Sequence, residues 1–253
     1  MVRKNLSKSF PEKDPAELRK IEKKFYHFFL DLVFETAKFG TISEKGIRKR
    51  MKYANIEEVN EVLREGKPVS LYLGHLGCWE WLSSMPLHLK GGAIPGQVYK
   101  KLNNPAVNEL LLVNRRHFGA VNVEMKSVPR WIKEQINKNQ LSITGYIADQ
   151  SPKKRDAHYF VDFFNQEVPV IVGTEKIIKH YDTVVYYVDM VRTKRGYYEA
   201  RYIEMTKNPK DFEDYKLTEL FYQHLETSIR HNPGIYLWTH NRFKHSRNKN
   251  TNN

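Results

Sequence analysis

A histidine and a glutamate five residues apart are the side chains of this sequence best suited to acid–base chemistry. His75 and Glu80 lie in Gly74-His75-Leu76-Gly77-Cys78-Trp79-Glu80, between an apolar run and a helical stretch. In a strand-to-helix turn, this spacing can bring the carboxylate onto one imidazole nitrogen, which leaves the other free as a general base. Gly74 and Gly77 would let a substrate approach the backbone. Since no serine completes a triad, a substrate hydroxyl would be the nucleophile; the alternative is a turn-capping histidine and a solvated glutamate.

Cys78 is the only cysteine of the chain, three residues after His75. A single cysteine excludes an internal disulfide and a multi-cysteine metal site, and it fits a reducing compartment. A Cys–His nucleophilic pair is the sharper hypothesis, but a lone cysteine is more often a small buried hydrophobe. The sequence contains no His-Glu-x-x-His spacing, Walker A loop or Gly-x-Gly-x-x-Gly fingerprint. We therefore expect no metal site, and nucleotide chemistry lacks its usual motifs.

A second polar segment, Ala148-Asp149-Gln150-Ser151-Pro152, follows another apolar run and precedes three basic residues. In open α/β sheets, ligands collect at the carboxyl ends of parallel strands, where both polar segments would lie. Asp149 would orient a basic substrate-binding residue or cap the loop. The spacing alone leaves both roles open.

These segments fall within an alternation of apolar runs and amphipathic stretches. The predicted strands are residues 69–73, 94–99, 121–125, 141–147, 184–192 and 197–205. The predicted helices are residues 79–89, 105–117, 128–137, 173–180 and 211–230. Such alternation indicates parallel βαβ units, and Lys194-Arg195-Gly196 is typical of a hairpin turn between the last two strands. We expect one α/β domain over residues 1–253, with a mixed, largely parallel sheet flanked by helices and a disordered tail at 246–253.

A long amphipathic helix is predicted over residues 14–40. Asp14, Pro15 and Glu17 form a capping-box start. Apolar residues then recur at three- and four-residue steps: Leu18, Ile21, Phe25, Phe28, Phe29, Leu32 and Val33. This apolar face would pack in the core or insert into a membrane surface.

The chain has 253 residues, of which 42 are basic and 29 acidic, so its formal net charge is +13. A hydrophobic content of 40% supports a buried core and excludes a wholly disordered chain. The positive charge favours a polyanionic partner, which would be nucleic acid, an anionic membrane or a phosphorylated substrate. No apolar run reaches the roughly 18 residues of a membrane span, and the start lacks a secretory signal.

The stretch from His75 to Glu80 resembles the His-x4-Asp/Glu signature of the glycerolipid acyltransferase superfamily. The form is that of the lipid A late acyltransferases of lipopolysaccharide biosynthesis, in a Bacteroidetes-like version. Further blocks follow in that family's order: Tyr99-Lys100-Lys101-Leu102-Asn103-Asn104-Pro105 through Arg115 and Arg116, Ala148 to Pro152, Phe163 to Pro169 with Gly173-Thr174-Glu175, and Trp238 to Arg242. The resemblance covers residues 3 to 245, and several ordered blocks make it specific.

The resemblance implies transfer of a fatty acyl group from a thioester to a hydroxyl of a lipid A precursor. His75 would take the hydroxyl proton, Glu80 would hold the imidazole, and no cofactor or metal would be needed. The implied substrate-binding residues are Tyr99, Lys100, Arg115, Arg116, Asp149, Gln150, Gly173, Thr174 and Glu175. The implied partners are acyl carrier protein (or acyl-CoA as donor), a lipid acceptor and an anionic membrane surface, with no nucleic acid.

Two departures from the family's pattern affect the expectations. Cys78 stands where the family usually has Asn, and the family usually begins with an apolar anchor, whereas this sequence starts just after where that anchor would lie. We expect a truncated or unusually short member, bound peripherally through its first helix at the cytoplasmic face of the bacterial inner membrane. The alternatives are a lysophospholipid or aminolipid acceptor, a thioesterase, and a basic nucleic-acid-binding protein.

Overall fold

The computed structural model describes residues 1–247 of the chain. A seven-stranded sheet has the spatial order β1-β9-β8-β2-β5-β3-β4. Its strands are β1 Met51–Tyr53, β2 Val69–Leu73, β3 Ile94–Tyr99, β4 Val121–Glu124, β5 Ser142–Ile147, β8 Val184–Lys194 and β9 Tyr197–Thr206. Only β8 and β9 pair antiparallel in this sheet, and the other neighbours are parallel. The predicted mixed, largely parallel sheet is confirmed.

Helices flank the sheet, and two further strands form a separate hairpin. The helices are α1 Val2–Ser9, α2 Pro15–Phe39, α3 Glu44–Arg50, α4 Ile56–Arg64, α5 Pro105–Arg116, α6 Val128–Asn137, α7 Gly173–Tyr181 and α8 Lys216–His231. The hairpin strands are β6 Phe160–Phe163 and β7 Gln166–Pro169. Trp79–His88, where a helix was expected, is a 3₁₀ segment with Pro86 inside it.

The N-terminus of α2 has the predicted capping box. The Asp14 carboxylate accepts from the backbone N–H groups of Ala16 and Glu17 at 2.7 and 2.8 Å, and Glu17 accepts from the Asp14 N–H. Phe25 and Phe28 are fully buried. This face of α2 therefore packs in the core, which was one of the two placements expected from the sequence. Val33, placed on the same face from sequence, is 52% exposed.

The last predicted helix begins later than expected. Residues Pro209–Asp211 form a short 3₁₀ turn, and Tyr215, which directly precedes α8, has a positive φ of 72°. Most of the predicted tail, residues 248–253, lies outside the described residues. The backbone N–H of Arg247 donates to the Glu167 carbonyl at 2.9 Å. None of the helices within residues 1–247 combines the length and apolar character needed to cross a membrane.

The register of the sheet determines where the polar segments meet. β2 pairs with β5 from Val69–Ile143 to Leu73–Ile147, so the two strands end side by side. The residues that follow these ends carry His75 and Asp149. The backbone N–H of Ala148 donates to the Leu73 carbonyl at 3.1 Å, which extends the pairing to the edge of the site.

Candidate active site

Tight packing fixes the turn that carries His75. Gly77 has a φ of +59°, and a Cβ on it would lie 2.3 Å from Met190 Cγ. A Cβ on Gly74 would lie 2.4 Å from Leu225 Cδ1. The expectation that these glycines open the backbone to substrate is wrong, because core side chains fill the space beside them.

The imidazole of His75 is held by Asp149. Nδ1 of His75 lies 2.5 Å from Oδ1 of Asp149, and the backbone N–H of His75 donates to Oδ2 at 3.2 Å. An ionised carboxylate only accepts hydrogen bonds, so Nδ1 carries the proton in this contact. Nε2 is then the basic nitrogen, and it makes no hydrogen bond with any residue in 1–247. The His75 side chain is 12% exposed, and its ring lies 5.0 Å from the indole of Trp79.

Asp149 is fully buried and receives two further donors. The Tyr236 hydroxyl donates to Oδ2 at 3.1 Å, and Nη2 of Arg242 donates to the same oxygen at 3.0 Å. Burial alone would raise the pKa of Asp149, but the charge of Arg242 and the contact with His75 hold that pKa well below its usual range. The carboxylate therefore stays ionised and can stabilise a cationic imidazolium.

Glu80 does not hold the imidazole, which corrects the prediction from spacing. Within residues 1–247 no hydrogen bond joins Glu80 to His75. The Glu80 carboxylate instead accepts from Arg115, with Nε at 2.7 Å and Nη2 at 2.6 Å, and from the Trp79 indole at 3.2 Å. The reason is that Asp149 reaches Nδ1 from the neighbouring strand, while Glu80 meets Arg115 from α5. A catalytic role of Glu80 remains a prediction.

The Glu80–Arg115 pair lines an apolar pocket between the 3₁₀ segment and the sheet. The pocket is lined mainly by apolar residues of the 3₁₀ segment and of β2, β3 and β5, including Leu71, Leu73, Leu82, Met85, Val98 and Ile147. Trp79 also lines it, and the same indole packs against His75. Burial would lower the pKa of Arg115, but Glu80 outweighs this effect and raises it. The pocket therefore holds a buried ion pair among apolar side chains, and His75 is connected to it through its ring contact with Trp79.

Three predicted binding residues lie on the surface of the fold. Lys100 and Gln150 are exposed, and Arg116 pairs with Glu109 on the exposed side of α5. Tyr99 ends β3 and is half-buried. Their substrate-binding roles remain predictions.

Residues 173–175 form the first turn of α7, away from the contacts of His75. The Glu175 carboxylate is buried and accepts from the backbone N–H groups of Tyr215 and Thr218 at 2.7 and 2.8 Å. It thereby holds the start of α8, which is a structural task that the sequence did not indicate. Gly173 is exposed and Thr174 is half-buried, and binding by either remains a prediction.

Cys78 is fully buried, and burial together with the nearby Glu35 and Glu80 carboxylates raises the pKa of its thiol well above the usual value. A thiol held in its neutral form is a poor nucleophile, so the structure disfavours a Cys–His pair. Within residues 1–247, no group of three His, Cys, Asp or Glu side chains is placed to hold a metal ion.

The C-terminal segment, residues 235–242, supplies the contacts that sequence reasoning missed. The backbone N–H of Leu237 donates to the His75 carbonyl at 3.0 Å, and that of Gly77 donates to the Ile235 carbonyl at 2.9 Å. Asn5 of α1 fixes this segment, because its amide donates to the carbonyls of Trp238 and His240. In the sequence, only the block from Trp238 to Arg242 marked this segment. Nothing in that block indicated that the segment contacts the turn carrying His75.

The sequence matches, over residues 1–245, the family described as bacterial lipid A biosynthesis acyltransferase. It is also similar to a lipid A biosynthesis acyltransferase from Haemophilus influenzae (strain ATCC 51907 / DSM 11121 / KW20 / Rd), with 24% identity over 181 residues. That match covers 72% of this chain and 55% of the relative, so the chain spans about half the length of the curated relative it matches. The resemblance found from the ordered blocks is confirmed, and the chain belongs to the bacterial lipid A biosynthesis acyltransferase family.

Proposed function

We propose that this protein transfers a fatty acyl group from an acyl thioester to a hydroxyl group of a lipid A precursor. The observation that carries the proposal is the unpartnered Nε2 of His75 beside an apolar pocket, with Nδ1 held by a buried carboxylate. Trp79 contacts both the imidazole and the pocket, so an acyl chain in the pocket would end near the base. Family membership supports the same reaction class.

In the proposed reaction, Nε2 of His75 removes the proton of the acceptor hydroxyl as its oxygen attacks the thioester carbonyl carbon. Asp149 stabilises the imidazolium that forms. The tetrahedral intermediate then collapses, the carbon–sulfur bond breaks, and the imidazolium returns its proton to the leaving thiolate. The products are an ester and a free thiol, and the route needs no covalent enzyme intermediate and no cofactor.

Arg115 is our candidate for stabilising the negative oxygen of the intermediate. Among the described residues that line the pocket, it is the only cation. Its Nε and Nη2 are occupied by Glu80, whereas Nη1 makes no hydrogen bond within the described chain. Glu80 would thus act by positioning Arg115, which gives the second residue of the signature a role without contact to His75.

Acyl carrier protein is the proposed donor carrier, since a net charge of +13 suits an acidic partner and the phosphates of a lipid A precursor. We further propose that the protein works at the cytoplasmic face of the inner membrane. The same proposal holds that the transfer uses no metal ion and that the protein does not bind nucleic acid.

The test is incubation of the purified protein with acyl carrier protein thioesters and a lipid A precursor that has a free hydroxyl, followed by mass spectrometry. One added acyl group is expected with wild type and with His231→Ala, a control at an exposed histidine of α8. His75→Ala should abolish the product while the circular dichroism spectrum is retained. Equal turnover by His75→Ala would refute the proposed base.

Parallel reactions with lysophospholipid, aminolipid or no lipid identify the acceptor class. If only these other lipids were acylated, or if only free fatty acid were released, the assignment of lipid A precursor as acceptor would be refuted. The assignment of His75 as the base would stand. Lipid extracts of cells with and without the protein should differ by the same acyl unit.

A further inference from the structure

Seven large apolar side chains project outward from two helices, and we call them the docking face. They are Tyr26, Leu30, Val33 and Phe34 on α2, and Val107, Leu110 and Val113 on α5. Their exposures range from 44% to 74%. Because they recur at three- and four-residue steps, each set lies along one side of its helix.

The amphipathic pattern of α5 is inverted. This helix buries the polar residues Asn108 and Asn114 at 9% and 5% exposure, while its apolar row faces outward. The buried amides have partners, since Asn108 accepts from the Leu102 backbone and Asn114 donates to the Thr36 carbonyl. The buried polar side chains of α5 are hydrogen-bonded, and its exposed side chains are valine and leucine. This distribution suits contact with an apolar environment better than contact with water.

The two rows lie on neighbouring helices. Nδ2 of Asn114 donates to the Thr36 carbonyl at 3.0 Å, and a Cβ on Gly40 would lie 2.2 Å from Asn114 Oδ1. Just beyond these ends, Nε2 of His117 lies 3.0 Å from the Ile42 carbonyl oxygen. The C-terminal turns of α2 and α5 therefore touch, so the two rows lie on adjoining helices.

The charges around the docking face are mostly basic, and the exposed acid of α5, Glu109, is paired with Arg116. The four acids of α2 are all engaged: Glu17 with Lys13, Glu22 with Arg3, Asp31 with Arg192 and Arg195, and Glu35 with Tyr198. Arg19, Lys20, Lys23 and Lys24 of the same helix have no ion pair within the described residues, and neither do Lys100 and Lys101 before α5. An apolar face with unpaired cations beside it complements a bilayer that has anionic headgroups.

We propose that the docking face rests on an anionic lipid bilayer, with its apolar side chains below the headgroups, so that a lipid acceptor reaches the site along α5. Arg115 lies on this helix beside Asn114 and reaches the pocket, which connects the membrane surface to the site. The inference rests on the proposed function for the identity of the acceptor only. An acidic carrier protein would be bound mainly through cations, which does not account for seven exposed apolar side chains.

Vesicle flotation tests the proposal. Wild type should float with vesicles of phosphatidylethanolamine and phosphatidylglycerol, and less with phosphatidylcholine alone. The variant Leu30→Ser/Phe34→Ser/Leu110→Ser/Val113→Ser should partition at least about tenfold less, since several apolar side chains lose their insertion. The matched control is Ile136→Ser/Ile203→Ser, whose side chains are 50% and 38% exposed elsewhere, and it should float like wild type.

Equal flotation of the docking-face variant and wild type, or no flotation of wild type, would overturn the proposal. It would also be overturned if the same variant lost a dimer, or lost carrier protein binding, in the absence of lipid. With acceptor dispersed in detergent, the variant should keep wild-type, His75-dependent turnover. Flotation of wild type without any acyl transfer would refute the proposed function and leave the docking face standing.

Discussion

Replacing Asp149 by asparagine is expected to damage both turnover and stability, for two separable reasons. The amide has no charge and can donate its N–H₂ to Nδ1, which favours the wrong imidazole tautomer. In a protease whose aspartate holds a catalytic histidine in the same way, the change lowers kcat by about 10⁴-fold. The substitution also leaves Arg242, which is 2% exposed, without its carboxylate. Breaking a buried ion pair from one side costs about 3–5 kcal/mol.

The double variant Asp149→Asn/Arg242→Met separates the two effects. It removes both buried charges, so much of the lost unfolding free energy should return, while turnover stays at the level of Asp149→Asn. The free energy of unfolding from urea titrations and the initial rate of acyl transfer, measured on all four members of the cycle, give the coupling between the two residues.

Glu80→Gln is the comparison that can refute this reasoning. Its main effect should be on the orientation of Arg115, and Arg115→Met should cause a similar loss. If Asp149→Asn kept turnover within tenfold of wild type while Glu80→Gln abolished it, Glu80 would be the residue that supports His75 in solution. If the double variant were less stable than Asp149→Asn alone, the buried pair would not account for the loss of stability.

Three further predictions concern the pocket, the cysteine and the C-terminal segment. Gly145 lines the pocket, and a Cβ there would have only Leu73 and the Gly96 carbonyl within 4 Å. Gly145→Leu should therefore shift the preferred acyl donor to shorter chains, measured as kcat/KM for donors of increasing chain length. An unchanged preference would exclude this pocket as the acyl site. Cys78→Ala should keep turnover near wild type and lose about 1 kcal/mol of stability, and complete inactivation of a folded variant would restore the nucleophile hypothesis. Burial and Arg242 lower the pKa of His240 to about 4, so between pH 6.5 and 4 the unfolded chain binds a proton that the folded chain does not. The free energy of unfolding should therefore fall on acidification through this window, and it should fall less steeply for His240→Gln. Urea titrations at each pH measure both dependences, and equal dependence on pH in the two proteins would contradict the lowered pKa of His240.

Local sequence patterns were sufficient for the elements that position the site. β2 and β3 have the predicted bounds because each is an apolar run between turn-forming residues. The capping box at Asp14 fixed the start of α2, and Lys194-Arg195-Gly196 correctly indicated the hairpin between β8 and β9. His75 is where the signature placed it, after β2.

The carboxylate that holds His75 could not be predicted, because it depends on spatial order. β5 lies next to β2 although β3 and β4 come between them in the chain, so Asp149 reaches a histidine 74 residues away. A five-residue spacing favoured Glu80, and nothing local revealed that Arg115 would claim that carboxylate. Tyr236 and Arg242 were equally hidden, because their contacts are set by tertiary packing alone.

The contacts of Asn5 join the first helix to the C-terminal segment, and this bears on when the candidate site can form during synthesis. The groups that complete the environment of Asp149 belong to residues 236 and 242, whereas the segment bearing them is fastened by a residue of the first helix. A nascent chain that has not been extended past residue 242 has its histidine but lacks the buried cation beside the carboxylate. Under the proposed function, the site around His75 would then be complete only after residue 242 has left the ribosome.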